Sequence, residues 1–153
     1  MTDRERLIQE EYVDTKYGPW KVLVICQLLN KTTWKQVEKV VSEIFHEWPS
    51  PGKLALMSFD DMRSLENLLR PLGFVKSRTK NLLKMSLQYC EERSKWADNW
   101  IMYEIFSFAG CGRYAEDAWK LFVLKETCYP LDRRLRDYAK EYGLFREPEE
   151  ARK

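Results

Sequence analysis

The chain has 153 residues, 44% hydrophobic and 33% charged, with a net charge of +2. That profile excludes a disordered or low-complexity polypeptide, and it allows one ordinary domain, or two small helical lobes sharing a cleft, burying roughly 70% of the unfolded surface. The longest apolar run, Val22 to Cys26, is far too short for a membrane span, four cysteines lack any CxxC pair, and His46 is the single histidine. These features argue against a transmembrane segment, a zinc ribbon, a disulfide frame, a histidine-rich metal site and a histidine triad. The charged start MTDRERLIQE shows no signal peptide, and a reduced intracellular compartment, a nucleus in a eukaryote, is expected.

Pro19 is suited to opening a helix, and Trp20, Leu23, Val24 and Leu28 follow at helical spacing. The run Val22 to Ile25 also fits a strand, but the sequence after it reads as helix. Thr33 with Gln36 forms a capping box ahead of an apolar stripe of Trp34, Val37, Val41, Ile44 and Phe45. Trp48-Pro-Ser-Pro-Gly52 ends that helix. Short helices are expected at Pro51 to Met57 and at Ser58 to Leu69, the second capped by Ser58 and buried through Met62, Leu65, Leu68 and Leu69. Pro71 and Gly73 break the chain. Further helices are expected from about Ser77 to Glu92, from Asp98 to Phe106, and from Arg113 to about Lys125, where Ala115, Ala118, Trp119 and Phe122 share a face. Asp132 then caps a last helix carrying Leu135, Tyr138, Ala139 and Tyr142, with Gly143 as its stop. No repeat period is present, and the charged tail from Arg146 is expected to fray.

Between Arg70 and Lys84 the chain carries Arg70, Lys76, Arg78, Lys80 and Lys84 and no acid. This suits phosphate contacts, and it equally suits a solvated helix face. The segment Phe108-Ala-Gly-Cys-Gly-Arg-Tyr-Ala-Glu-Asp117 places a Gly-x-Gly turn between two helices. Its glycines allow a tight bend and close approach, and unpaired N–H groups at the next helix start can hold a phosphate; a plain helix-helix turn is the other reading. Asp132 follows about twenty residues later in Tyr129-Pro-Leu-Asp-Arg-Arg-Leu135.

A hairpin, a helix of some three turns, a short proline-containing loop and an aspartate together resemble the signature of the helix-hairpin-helix DNA glycosylases. More closely, about residues 7 to 143 resemble the glycosylase domain of the methyl-CpG-binding thymine glycosylases, which act on thymine or uracil opposite guanine. Leu7-Ile8-Gln9-Glu10 resembles the segment that lines the pocket and reads the flipped base. Pro19-Trp20-Lys21 and Leu28-Leu29-Asn30-Lys31-Thr32 resemble the first core helix and the DNA-contacting turn after it. Leu69-Arg70-Pro71-Leu72-Gly73-Phe74 resembles the wedge loop, Gly110-Cys111-Gly112-Arg113-Tyr114-Ala115-Glu116-Asp117 the hairpin, and Pro130-Leu131-Asp132 the catalytic turn.

The resemblance implies an all-α helix-hairpin-helix glycosylase fold of two helical lobes with the active site in the cleft between them. The catalytic domain would occupy residues 1–146, its N-terminal segment packing with the C-terminal helices, and 147–153 would be a frayed tail. Asp132 and Tyr114 are the expected catalytic pair, and Leu7, Ile8, Gln9 and Tyr114 the base-reading set. DNA contacts are expected from Asn30, Lys31, Thr32, Leu72, Gly73, Phe74, Arg78, Lys80, Gly110, Gly112, Arg113 and Arg134. Phe74 would fill the stack vacated by a flipped base, or be a buried turn residue. Asp132 would stabilise positive charge developing on the sugar and activate water, and it also suits a helix cap.

Bifunctional relatives resemble this hairpin but carry lysine where Tyr114 stands, so a monofunctional enzyme leaving an abasic site is expected. No iron-sulfur cluster is expected, because no cysteine cluster follows Asp132; a monovalent cation on the hairpin backbone is compatible. The expected partner is duplex DNA holding a mismatched or damaged base, bound by a monomer away from membranes. Lys31, Phe74 and Cys111 depart from the usual arginine, leucine and aliphatic residue. A non-catalytic DNA-binding module and a helical interaction domain displaying its tryptophans are the alternatives.

Overall fold

The computed structural model describes residues 4–96 and 108–148. Within them the chain forms helices α1 (Ile8–Tyr12), α2 (Gly18–Leu29), α3 (Trp34–Glu47), α4 (Pro51–Ala55), α5 (Phe59–Leu69), α6 (Val75–Trp96), α7 (Arg113–Ala118) and α8 (Arg133–Glu141). A 3₁₀ turn, Arg70–Leu72, follows α5, and α7 runs on as a π-helical stretch, Trp119–Leu124. The only β pairing among the described residues is one isolated bridge, Cys128 to Phe145. The fold is all-α, as expected, and the helix expected at 98–106 lies outside the described residues.

Helix α2 is the axis of the molecule. Trp20, Leu23, Val24 and Leu28 are fully buried, and so are Val22 and Ile25 on its other sides, which explains why its apolar run reads ambiguously: a helix packed all round loses its periodicity. It contacts α3 and α6 on one side and α1, α7 and the π stretch on the other. One lobe is α3 to α6, with α4 and α5 laid along α6; the other is α1, α7 and α8, where the Phe122 and Tyr138 rings pack 4.5 Å apart. Trp20 spans the core, its indole N–H donating to the Ser86 hydroxyl of α6 at 2.9 Å.

The local signals hold where they are local. The Gln36 amide N–H reaches Thr33 Oγ1 at 3.3 Å while the Thr33 amide reaches Gln36 Oε1 at 2.9 Å, and Ser58 Oγ accepts from Asp61 N at 3.1 Å. Gly143, at φ +70, closes α8 with the paired bonds of a Schellman motif, Leu144 N to Ala139 O at 2.7 Å and Gly143 N to Lys140 O at 3.4 Å.

Several expectations need correction. Pro19 is the second residue of α2, because Tyr17 in the left-handed region turns the chain one residue earlier. Met62 and Leu68 are only half-buried on α5, and Tyr142, expected on the last helix, is its C-cap residue. Helix α6 begins at Val75, directly after the loop 70–74 and two residues before the expected start at Ser77. The helix from Arg113 keeps α geometry only to Ala118.

Candidate active site

The two lobes leave an open cleft of about 850 Å³, floored by Leu7, Ile8, Gln9, Cys26 and Ala115 and walled by the turn 29–34, the hairpin 110–114, Asp132 and Arg134. Every residue expected to read the base is on that list, and so are the expected carboxylate and most of the expected DNA contacts.

The N-terminal strap is fixed by charge. Arg4 makes a two-pronged contact with Glu10, at 2.6 and 2.8 Å, and its Nε donates to Glu141 Oε2 of α8 at 2.6 Å. Its guanidinium also lies over the Tyr138 ring. Glu10 in turn accepts from the Leu7 amide at 2.7 Å and so closes the first turn of α1. Burial works against the Glu10 charge, but the Arg4 hydrogen bond and the Leu7 amide hold its carboxyl below the usual range. Arg134 ties Glu5 to α8 at 2.7 Å. This strap sets Leu7 and Ile8, both nearly inaccessible, and Gln9, fully buried, into the cleft floor.

Gln9 Nε2 donates to the Tyr114 hydroxyl at 2.9 Å and approaches Cys26 Sγ at 3.7 Å, whereas its Oε1 is buried without a partner. A buried acceptor without a protein partner is unusual, and this one borders the cleft. Burial, above all, pushes the Tyr114 phenol far above its ordinary value, with the Cys26 thiol and the Asp132 charge adding to the shift against the Gln9 hydrogen bond. The hydroxyl therefore stays protonated.

Asp132 stands at the N-cap of α8, where its Oδ2 accepts from Leu135 N at 3.0 Å. The cap and the cleft position coexist, as the sequence allowed. The loop before it is pinned: Cys128 N bonds Leu144 O and Arg146 N bonds Cys128 O, Arg113 reaches Tyr129 O at 2.8 Å, and Arg136 reaches Pro130 O at 3.3 Å. A carboxylate so held has little orientation left to lose in a reaction.

In the hairpin, Gly110 takes φ +76, and a Cβ there would sit 2.6 Å from Gln27 Oε1. Gln27 comes this close because its Nε2 donates to Ala109 O at 2.7 Å. Gly112 has an ordinary φ of −127 and open space around it, so nothing within the described protein requires it to lack a side chain. Arg113, at the start of α7, is engaged by Asp117 at 2.9 Å.

The expected wedge residue Phe74 is 65% exposed, so the reading of a buried turn residue is set aside. It sits at φ 48 just after Gly73 at φ 76, and Lys31 across the groove is also left-handed, at φ 60. Two non-glycine residues held there in facing loops are stored strain. The Lys31 ammonium lies 5.8 Å from the Phe74 ring centroid. Asn30 is exposed beside it, and the Thr32 hydroxyl bonds Leu28 O. Leu72 is buried beneath the loop, and Lys80 is exposed on α6.

The basic stretch is not a uniform face. Lys76 pairs with Glu66 at 3.1 Å. Arg78 is only 7% exposed, its guanidinium turned inward onto backbone carbonyls and away from any approaching phosphate.

Trp34 and Cys26 are among the cleft residues that escaped sequence reasoning. Trp34 was assigned to the core stripe of α3, but it is half-buried at the cleft edge under the Arg134 guanidinium, 5.5 Å from its ring. Cys26 faces Gln9 from α2, hidden within an apolar run. Trp20, Trp48 and Trp119 are core.

Comparison with known proteins accounts for this assembly. Residues 24–152 match the family model described as HhH-GPD superfamily base excision DNA repair protein. The methyl-CpG-binding domain protein 4-like protein of Arabidopsis thaliana is 35% identical over 116 residues, 76% of this chain and 23% of that protein. The thymine-DNA glycosylase of Aeropyrum pernix and the thymine/uracil-DNA glycosylase of Pyrobaculum aerophilum are each 40% identical over 68 residues, 44% of this chain and 29% and 28% of theirs. The matched stretches thus span about a quarter of these curated relatives. With the family model covering most of the chain and the cleft arranged as described, the protein belongs to the HhH-GPD superfamily of base excision DNA repair proteins.

Proposed function

We propose that the chain is a monofunctional DNA glycosylase that flips thymine or uracil mispaired with guanine out of a duplex and hydrolyses its N-glycosidic bond, leaving an abasic site. The observation that carries the reading is the convergence of the Asp132 carboxylate, the Gln9–Tyr114 pair and the hairpin on one cleft. The names of the two archaeal relatives support the choice of base.

The chemistry follows from those positions. As the C1′–N bond breaks, its electron pair leaves with the base and positive charge grows on the sugar. A fixed anion at the cleft wall lowers that barrier, and Asp132 then takes a proton from the water that adds to C1′. Gln9 Oε1 meets a donor on the flipped base, and the apolar floor of Leu7, Ile8 and Ala115 excludes water. Flipping costs roughly a few kcal/mol, least at a mismatch, and Phe74 occupies the gap. No amine replaces the Tyr114 phenol to attack the sugar, and Lys31 on the cleft wall extends over Phe74. A monovalent cation at the hairpin would rely on backbone carbonyls, of which those of Phe108 and Ala109 already accept one hydrogen bond each; no step here needs it.

The test uses duplexes with one G·T, G·U or A·T pair, followed by alkali. Release at the mispairs, absent in D132N, is the expected outcome. Tight binding without release would replace the enzyme by a binding module, and strand breaks before alkali with a borohydride-trapped adduct would refute monofunctional action.

A further inference from the structure

Arg78 lies in the first turn of α6 and is almost wholly enclosed. Its Nε donates to Gly73 O at 2.8 Å, Nη1 to Gln27 O at 3.2 Å, and Nη2 to Asn30 O at 2.9 Å and Leu72 O at 3.3 Å. Four of the five guanidinium N–H groups are therefore spent on carbonyls from two separate segments. Its own amide N–H takes Phe74 O at 2.9 Å, and its guanidinium carbon stands 5.8 Å from the Phe74 ring centroid. Arg78 thus grips residues 72, 73 and 74 in succession.

The gripped segments are the strained ones. Gly73 and Phe74 are left-handed on one side of the groove, and Lys31, directly after the bound Asn30 carbonyl, is left-handed on the other. A phenylalanine keeps such a backbone only where its surroundings over-determine it. Burying a guanidinium is costly unless its donors are satisfied, and here backbone oxygens satisfy them with no carboxylate contact among the described residues. The path continues: the Gln27 peptide that Arg78 holds belongs to the side chain that holds Ala109 of the hairpin.

Resting on the glycosylase reading above, we propose that Arg78 is a positioning residue that never meets DNA: it sets the 72–74 backbone so that Phe74 projects as an aromatic wedge, and through Gln27 it keeps wedge and hairpin in register. Only a planar fork spans these carbonyls, so lysine cannot substitute.

Single-turnover uracil release is measured for wild type, R78M, R78K, F74A and R78M/F74A, on a G·U duplex and on the same strand unpaired, which has no stack to fill. Both Arg78 variants lower the duplex-to-single-strand rate ratio by about tenfold, the share of the flipping cost that a filled stack recovers. F74A does the same, and the double variant loses no more than F74A alone, because the two residues act through one wedge. The dependence of duplex affinity on salt keeps its wild-type slope. A slope reduced by about one makes Arg78 a phosphate ligand and overturns the proposal. So does multiplication of the two losses, or a wild-type ratio in R78K. If R78M melts below the assay temperature, R78K, which retains stem and charge, decides. Wild type failing to release uracil from G·U defeats the glycosylase reading itself, whereas an active wild type with an unaltered ratio in R78K defeats only the role of Arg78.

Discussion

Gln9 and Tyr114 meet through a single 2.9 Å hydrogen bond that joins the N-terminal helix to the hairpin helix across the cleft floor. It fixes the Gln9 carboxamide so that Oε1 is left as an unpaired acceptor. The imide N–H of thymine or uracil is a donor of the right kind, whereas cytosine offers an acceptor nitrogen at that edge.

Tyr114→Phe strands the Gln9 donor in a buried site and lowers stability by about 1–3 kcal/mol. Denaturant melts measure this, and single-turnover rates fall alongside. Because the phenol stays protonated, the rate–pH profile of wild type carries no inflection from it up to pH about 10, its ordinary value. An inflection there that disappears in Y114F contradicts this reading.

Asp132 has two duties that substitution separates. Asn is as good a cap as Asp, so D132N keeps the melting temperature of wild type while base release drops by about a thousandfold or more. D132A loses both, with an added cost of about 1 kcal/mol from the uncapped α8. Equal stability of the two variants would show that the bond to Leu135 N contributes nothing.

The two hairpin glycines answer differently. G110A forces a left-handed alanine and drives its Cβ against Gln27, costing about 1–3 kcal/mol. G112A meets nothing inside the protein and folds as wild type within about 0.5 kcal/mol, but its methyl group stands off the duplex and weakens binding. Thermal melts and duplex titrations of both variants check the pair.

Alkali is expected to weaken the fold in part through its thiols. Burial first of all raises the Cys111 thiol from 9.0 to about 12, against the Gln27 hydrogen bond, and Cys128 to about 11. A raised folded value means the fold favours the neutral thiol, so this contribution is complete below the unfolded value near 9 and is lost as pH rises from there toward 11 to 12. Guanidinium melts between pH 7 and 11 record the decline, and C111A makes it shallower.

Features set by a few neighbouring residues were legible in the chain: the Thr33, Ser58 and Asp132 caps, the Gly143 stop, and the buried face of the helix from Arg113. Residues that meet only in the folded chain were not. Gln9 looks like any surface glutamine near a terminus, and its place at the cleft came through resemblance alone. Arg78 was expected among the DNA contacts because a charge count leaves every cation free for an outside partner, and four backbone carbonyls engage this one instead. Trp34 fits its stripe, but periodicity cannot tell that the first turn of a stripe overhangs a gap. The five-residue α1 carries too few turns to leave a pattern, and α geometry giving way after Ala118 has no sequence mark.

The widened stretch Trp119–Leu124 works as a phase adjuster. It ends with Lys125 left-handed at φ 55 and with Glu126 N bonded to Lys120 O at 2.8 Å. Each residue of α-helix advances the chain by roughly 100° around its axis. Deleting Val123, so that ordinary winding could resume, would swing everything downstream by about that angle and carry the acid at 132 off the groove it faces. Because Trp119, Leu121 and Phe122 are themselves core and Phe122 packs on Tyr138 of α8, insertions and deletions in these six residues should damage folding and turnover together, although none of the six lines the cleft.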